Sequence, residues 1–246
     1  MKNTRKRSRL LKPLAFLIIL FGLMGFVMFS NQMLRILFHQ KIWAHRANST
    51  DKLGMARQKF PGVELDVVFM EGQGHFDVHH PPEPPSGLTL AQYFTAAGEF
   101  PLQFWLDFKN LNSRNRDAAV QHLKDLARQF NIEKKRIIVE ADHPGHLRAF
   151  STEGFLTSWY LPQGLSLLKQ NELEPVAGQI GNSLENFPVD FISTEFKDYP
   201  VLNQYFPNQK KLFWFTVYGS VNKIRARLLL YEILTDENTE VLLMPF

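Results

Sequence analysis

From residue 41 to the last residue, short apolar runs dense in Val, Ile, Phe and Trp alternate with stretches whose apolar residues recur every three or four positions. The first kind reads as strand and the second as helix, because side chains alternate faces along a strand and repeat every 3.6 residues around a helix. The strand-like runs are "KIWAH" (41–45), "GVELDVVF" (62–69), "LQFWLDF" (102–108), "RIIVEA" (136–141), "FLTSWY" (155–160), "DFIST" (190–194), "KLFWFTVY" (211–218) and "EVLLMPF" (240–246). Between them lie the helical patterns 50–60, with Ser49 or Thr50 as cap, 89–97, 116–130, 145–154, "LSLLKQ" (165–170) and 222–237. Strands that alternate with helices demand a parallel sheet, and eight such units predict an α/β fold, a closed (β/α)8 TIM barrel over residues 41–246. An open doubly wound sheet is the alternative. The Pro-rich "HHPPEPPSG" (79–87) reads as a rigid surface loop after the second strand.

Ahead of this pattern, residues 13–30 form an uncharged apolar run, "PLAFLIILFGLMGFVMFS", just long enough to cross a bilayer as a helix. Residues 1–12 place six Lys or Arg and no acid before it. "FVMFS" lacks the small residues of a cleavage site, so an uncleaved transmembrane anchor is expected rather than a removed signal peptide or a buried core helix. The basic flank then stays cytoplasmic, residues 31–40 continue as an amphipathic linker, and the barrel sits on the periplasmic or extracytoplasmic side.

Composition narrows the function classes. The chain has 246 residues, 45 % of them hydrophobic, enough to bury a core of its own. Its formal charge of +4 comes from the basic flank: six of the 28 basic residues lie there, leaving 22 against 24 acidic residues in the rest. No nucleic-acid partner is expected of such a body. The absence of Cys excludes disulfides, thiolate catalysis and Cys-ligated metals.

In a (β/α)8 barrel the active site forms at the carboxyl ends of the strands, and polar residues concentrate there. His45 and Arg46 end the first run. Glu64 and Asp66 share one face of the second, and Asp107 and Lys109 share one face of the third. Two buried like charges two positions apart require a neutralising cation. Glu64, Asp66 and Asp107 offer hard oxygen donors, suited to one divalent cation, Mg²⁺ or Ca²⁺. "GHFDVHHPP" returns His79 and His80 to the same rim; alternation from Asp77 puts His79 on that residue's face and His80 on the other, and spacing does not choose between them. Histidine suits proton transfer near neutral pH, and Arg46 and Lys109 suit a phosphate. Together these groups form a set able to cleave a phosphodiester.

The order of His-Arg, E-x-D, a His before a turn, and an acid-x-Lys resembles the glycerophosphodiester phosphodiesterase and sphingomyelinase D superfamily of phospholipase C-like barrels. The words "HRANS", "ELDV", "HPP" followed by "LTLAQYF", and "LDFKNLN" look closest to its menorin branch, over roughly residues 41–112. The resemblance implies His45 and His80 as the catalytic pair, Glu64, Asp66 and Asp107 as metal ligands, and Arg46 and Lys109 at the substrate phosphate. Asp107 stands where glycerophosphodiesterases usually carry Glu, and their "PENT" segment is absent after His45. The expected function is a membrane-anchored, metal-dependent phosphodiesterase acting on a glycerophosphodiester, lysophospholipid or similar small molecule. The alternative is a non-catalytic menorin-like barrel that binds a phosphorylated or lipid-like ligand or a partner protein; a carbohydrate-active barrel ranks lower, since it gives the His residues no work. Weaker pocket candidates on later strands are Glu140, Trp159 and Glu195, with Trp214, Thr216 and Tyr218 sharing a face of the seventh run.

Overall fold

A computed structural model describes residues 30–215 and 224–246, with Phe16, Leu17, Gly22 and Gly25 ahead of them. Its strands are β1 (Ile42–Ala44), β2 (Gly62–Met70), β3 (His75–Asp77), β4 (Gln103–Phe108), β5 (Ile137–Ala141), β6 (Leu156–Tyr160), β7 (Phe191–Glu195), β8 (Lys211–Trp214) and β9 (Thr239–Met244). In the order β1, β2, β4, β5, β6, β7, β8, β9 they pair in parallel, and β9 returns to β1, so the sheet closes into the expected eight-stranded barrel. Closure removes both sheet edges.

Alternation decides what fills the barrel and what covers it. Trp43, Trp105, Ile138, Phe191, Leu212, Val241 and Leu243 pack together inside. The alternate residues, such as Val63, Leu65, Val67, Phe104 and Leu106, face outward into a larger core shared with the helices. Gly62 is required on the inner face: a Cβ there would lie 2.4 Å from the Trp43 indole. The helices are α1 (Asn31–Leu37), α2 (Thr50–Ala56), α3 (Leu90–Ala97), α4 (Arg116–Gln129), α5 (Pro144–Thr152), α6 (Gln170–Asn186), α7 (Tyr199–Tyr205) and α8 (Ile224–Thr235). Ser49 caps α2 by accepting from Lys52 N–H, and Thr89 with Gln92 forms a capping box on α3.

Several expectations change. Strand β3 pairs antiparallel with β2, Phe69 opposite Phe76, where the sequence suggests loop; three residues are too few to show a period. "LSLLKQ" is a 3-10 turn (Leu165–Leu167) leading into the 17-residue α6, whose Pro175, Gly178 and Gly181 mimic breakers in the sequence. Residues 31–37 are no free linker. Ser30 caps α1 by accepting from Met33 N–H, Leu34 is fully buried, and the Phe38 ring meets Tyr231 of α8 edge-on. The seventh run is strand only to Trp214, and Thr216 and Tyr218 lie outside the described residues. The expected membrane span, residues 13–30, also lies outside them but for Phe16, Leu17, Gly22, Gly25 and Ser30; among the described residues no helix is long and apolar enough to cross a membrane.

Candidate active site

The chain leaves β1 through His45 and turns sharply at Arg46, whose φ of 54° is left-handed and uncommon for a residue with a side chain. The turn points the Arg46 N–H back at β2, where it donates to Glu64 Oε2 at 2.7 Å. Ala47 N–H donates to the Glu64 main-chain oxygen at 2.9 Å. Asn48 then binds Asp66 twice: its Nδ2 donates to Oδ2 at 2.6 Å and its Oδ1 accepts from the Asp66 N–H at 2.9 Å. Below the loop, the Tyr93 hydroxyl of α3 donates to the Ala47 carbonyl at 2.8 Å.

Glu64 and Asp66 point into the barrel as alternation requires. Asp66 is in register with Asp107 of β4, Asp107 with Glu140 of β5, and Glu140 with Ser158 of β6. One band of the interior therefore carries three acids in a row. Carboxylate oxygens of Glu64, Asp66 and Asp107 lie within 4.8 Å of one another. The Lys109 ammonium bridges Asp66, at 2.9 Å, and Asp107. Burial works to raise Asp66, but the Lys109 charge and the Asn48 amide outweigh it and hold this carboxyl below its ordinary range. Burial raises Asp107 against the pull of Lys109. Burial, with the charges of Asp66 and Asp107, raises Glu64 well above the usual range. For Lys109, burial acts downward, and the two aspartates overcome it and raise it. Three carboxylates against one ammonium leave an excess of negative charge out of water. That donor set fits a hard divalent cation held by Glu64, Asp66 and Asp107.

His45 lines the same cavity, its Nε2 3.7 Å from Glu64 Oε2. Burial, aided by the Arg46 charge, pushes its imidazole down to about 4, so it is neutral near pH 7. The adjacent histidines of the next loop divide their work. His79 is buried, with Nδ1 2.7 Å from Asp77 Oδ1, and Asp77 also accepts from the N–H groups of Ser86 and Gly87 at 2.9 and 2.8 Å. That cluster ties the Pro-rich loop down, and His80 faces the cavity.

The cavity holds about 490 Å³. Its charged wall carries His45, Arg46, Glu64, Asp66, His80, Asp107, Lys109 and Glu140, so the structure brings all seven principal predicted residues and one weaker candidate together. The facing wall is aromatic: Tyr160 and Trp214 stack at 6.1 Å with an interplanar angle of 16°, beside Phe215 and Phe246. Two weaker candidates fall elsewhere. Trp159 faces the outer core and its indole N–H donates to the Asp142 carbonyl at 3.1 Å, because Ser158 and Tyr160 take the inner face of β6. Glu195 lies off the cavity, paired with Lys197 at 2.7 Å. Glu140 is buried; burial and the Asp107 charge push it up to about 8, with the Ser158 hydroxyl, which donates at 2.6 Å, acting the other way. Asn48 and Tyr160 are not among the residues singled out from the sequence. Asn48 stands inside the quoted "HRANS", and Tyr160 follows from alternation once Ser158 is known to face inward.

No family profile and no curated protein matches the chain. Solved structures do. A glycerophosphodiester phosphodiesterase from Parabacteroides distasonis superposes with a TM-score of 0.58 at 16 % identity, covering 83 % of this chain and 92 % of that one. A phosphodiesterase from Oleispira antarctica, solved in complex with its product sn-glycerol-3-phosphate, superposes with a TM-score of 0.56 at 13 % identity, covering 85 % and 94 %. The chain thus shares the closed (β/α)8 barrel fold of these phosphodiesterases, and at these identities the likeness establishes the fold alone.

Proposed function

We propose that the protein is a divalent-metal-dependent phosphodiester hydrolase acting on a glycerophosphodiester or lysophospholipid, tethered by residues 13–30 as a single uncleaved span with the barrel outside the cytoplasm. The observation that carries this reading is the convergence of Glu64, Asp66 and Asp107 with His45, His80 and Lys109 at one barrel mouth. Six basic residues ahead of an uncharged apolar stretch support the tether and its direction. The fold shared with phosphodiesterases, one of them holding a glycerol phosphate, supports the substrate class.

A Mg²⁺ or Ca²⁺ ion held by Glu64, Asp66 and Asp107 would supply Lewis-acid stabilisation of the charge that grows on the phosphoryl oxygens. The rest is work for the chain's own groups. Lys109 and the exposed Arg46 guanidinium draw the phosphodiester to the charged wall, with Arg able to hold two oxygens at once. One of His45 and His80 takes the proton of the attacking water while the other gives one to the departing oxygen, and proton exchange with solvent then restores the pair for the next turnover. The aromatic wall of Tyr160 and Trp214 packs against the carbon atoms next to the phosphoryl group and keeps bulk water from that side.

The test uses purified full-length protein in detergent. One divalent ion per chain by metal analysis, and hydrolysis of a panel of glycerophosphodiesters and lysophospholipids, are expected. His45→Ala and His80→Ala should each lose about 10²- to 10⁴-fold in kcat while keeping the ion. An unchanged metal content in the Asp66→Ala, Asp107→Ala double variant would sink the metal site. Equal inactivity of wild type and both His variants, with ligand binding intact, would give the barrel to the binding alternative.

A further inference from the structure

The apolar stretch joins the barrel at a particular end. Helix α8 follows β8 in the chain, packs on the segment Phe196–Asp198 that leaves the carboxyl end of β7, and finishes where the Asp236 carbonyl accepts from Lys41 Nζ at 2.7 Å, next to the start of β1. It therefore runs from the mouth to the opposite end, as barrel helices do. Helix α1 lies alongside it in the same direction. Asn31 accepts from Arg227 Nη2 at 2.5 Å in the first turn of α8, and Phe38 meets Tyr231 one turn further on. Ser30, the last residue of the stretch 13–30 and the N-cap of α1, thus directly precedes the residue that bonds the first turn of α8.

The same end carries exposed apolar side chains. Leu167 is 85 % exposed and Leu168 stands beside it, on a loop clamped to the mouth by Asp198, which accepts from the N–H groups of Gly164 and Ser166 at 3.1 and 2.8 Å. Ile224, 64 % exposed, and Leu228 project from the first turns of α8, and Phe246 follows β9 at the cavity edge. The Leu165–Leu167 turn and helix α8 both pack on Phe196–Asp198, so they share one side of the barrel. Exposure alone does not choose the end, since Phe100 at the opposite end is exposed too. The place where the apolar stretch meets the barrel does.

We infer that the mouth rim formed by Leu167, Leu168, Ile224 and Leu228 is a bilayer-contacting surface, so that the site faces the lipid headgroups and takes a phosphodiester whose apolar part stays in the membrane. This rests on the membrane span proposed above and does not depend on catalysis. The occupant is a lipid bilayer because the chain leading to the rim is an eighteen-residue uncharged apolar stretch that ends there. Leucine and isoleucine side chains seated at the acyl boundary would add affinity in proportion to their buried area.

The chain has no Cys, so single labels can be placed without background. Full-length Leu167→Cys, Ile224→Cys and, at the opposite end between α7 and β8, Asn208→Cys are labelled with an environment-sensitive fluorophore. They are reconstituted into phosphatidylcholine vesicles containing phosphatidylglycerol. Probes at 167 and 224 should brighten several-fold, shift to the blue and be quenched by doxyl lipids, while the probe at 208 behaves as in water. Vesicle-bound protein with all three probes in water overturns the bilayer-facing rim and leaves the span standing. Protein that fails to sediment with vesicles overturns both.

Discussion

Asn48 holds Asp66 at its carboxylate and at its backbone N–H, so Asn48→Ala frees a buried acceptor and a buried donor together. Such groups cost about 1–3 kcal/mol when left unpaired, and a ligand's supporting partner is worth about 10- to 100-fold in metal affinity or rate. Asn48→Ala is expected to lower both thermal stability and divalent-ion affinity by these amounts, read by calorimetry and metal titration; unchanged affinity would reduce Asn48 to a loop residue. Glu140 gives a prediction in pH. Its folded carboxyl titrates at about 8, above the ordinary range, so folding takes up a proton. The stability that it contributes is present at low pH and is lost as pH rises towards 8. In a chelator, Glu140→Gln should therefore gain Tm over wild type at pH 9 and show little difference at pH 4; a constant offset would argue against the buried acid. At this scale the sequence names the charged residues well, since chemistry follows from residue type and strand alternation. It is silent on Asn48 because an amide in a loop has no pattern of its own.

Strand β2 is the element where composition and position meet most closely. Gly62 opens it on the inner face against the Trp43 ring, and Glu64 and Asp66 follow on that face. Gly62→Ala drives a methyl into the indole at 2.4 Å, with the ring boxed in by the interior cluster. An overpacked core of this kind costs about 1–3 kcal/mol, so the denaturation midpoint should fall with the slope unchanged. A neutral outcome would mean that Trp43 can move aside. The barrel strands are legible because each is a short Val-, Ile- or Phe-rich run bounded by turns, and most ends fall within a residue or two of expectation. Helix α6 is not, because its Pro and Gly residues carry local preferences that its packing overrides.

Across the whole molecule, the barrel rule makes the site readable from one dimension: parallel strands send their carboxyl ends to a single mouth, so the ends of β1, β2 and β4 must meet there. What the rule leaves out is the far wall. Tyr160 and Trp214 stack across β6 and β8, which are separated by β7 and by 54 positions in the chain, and only the closed register brings them together. The proposed membrane-facing rim belongs to the same class, since the Leu165–Leu167 turn and helix α8 come together on Phe196–Asp198 through tertiary packing alone.

The described ladder between β1 and β2 consists of one residue pair, Ala44 with Val63. Beyond that pair the two strands are held by Arg46, Ala47 and Asn48 bonding to Glu64 and Asp66, so the groups proposed for chemistry also close the barrel. Selection on folding and selection on turnover then act on the same residues. A descendant under no demand for the proposed hydrolysis would still be held to Glu64, Asp66 and Asn48 by the need to shut its cylinder, and would shed His80, which the closure does not use, first.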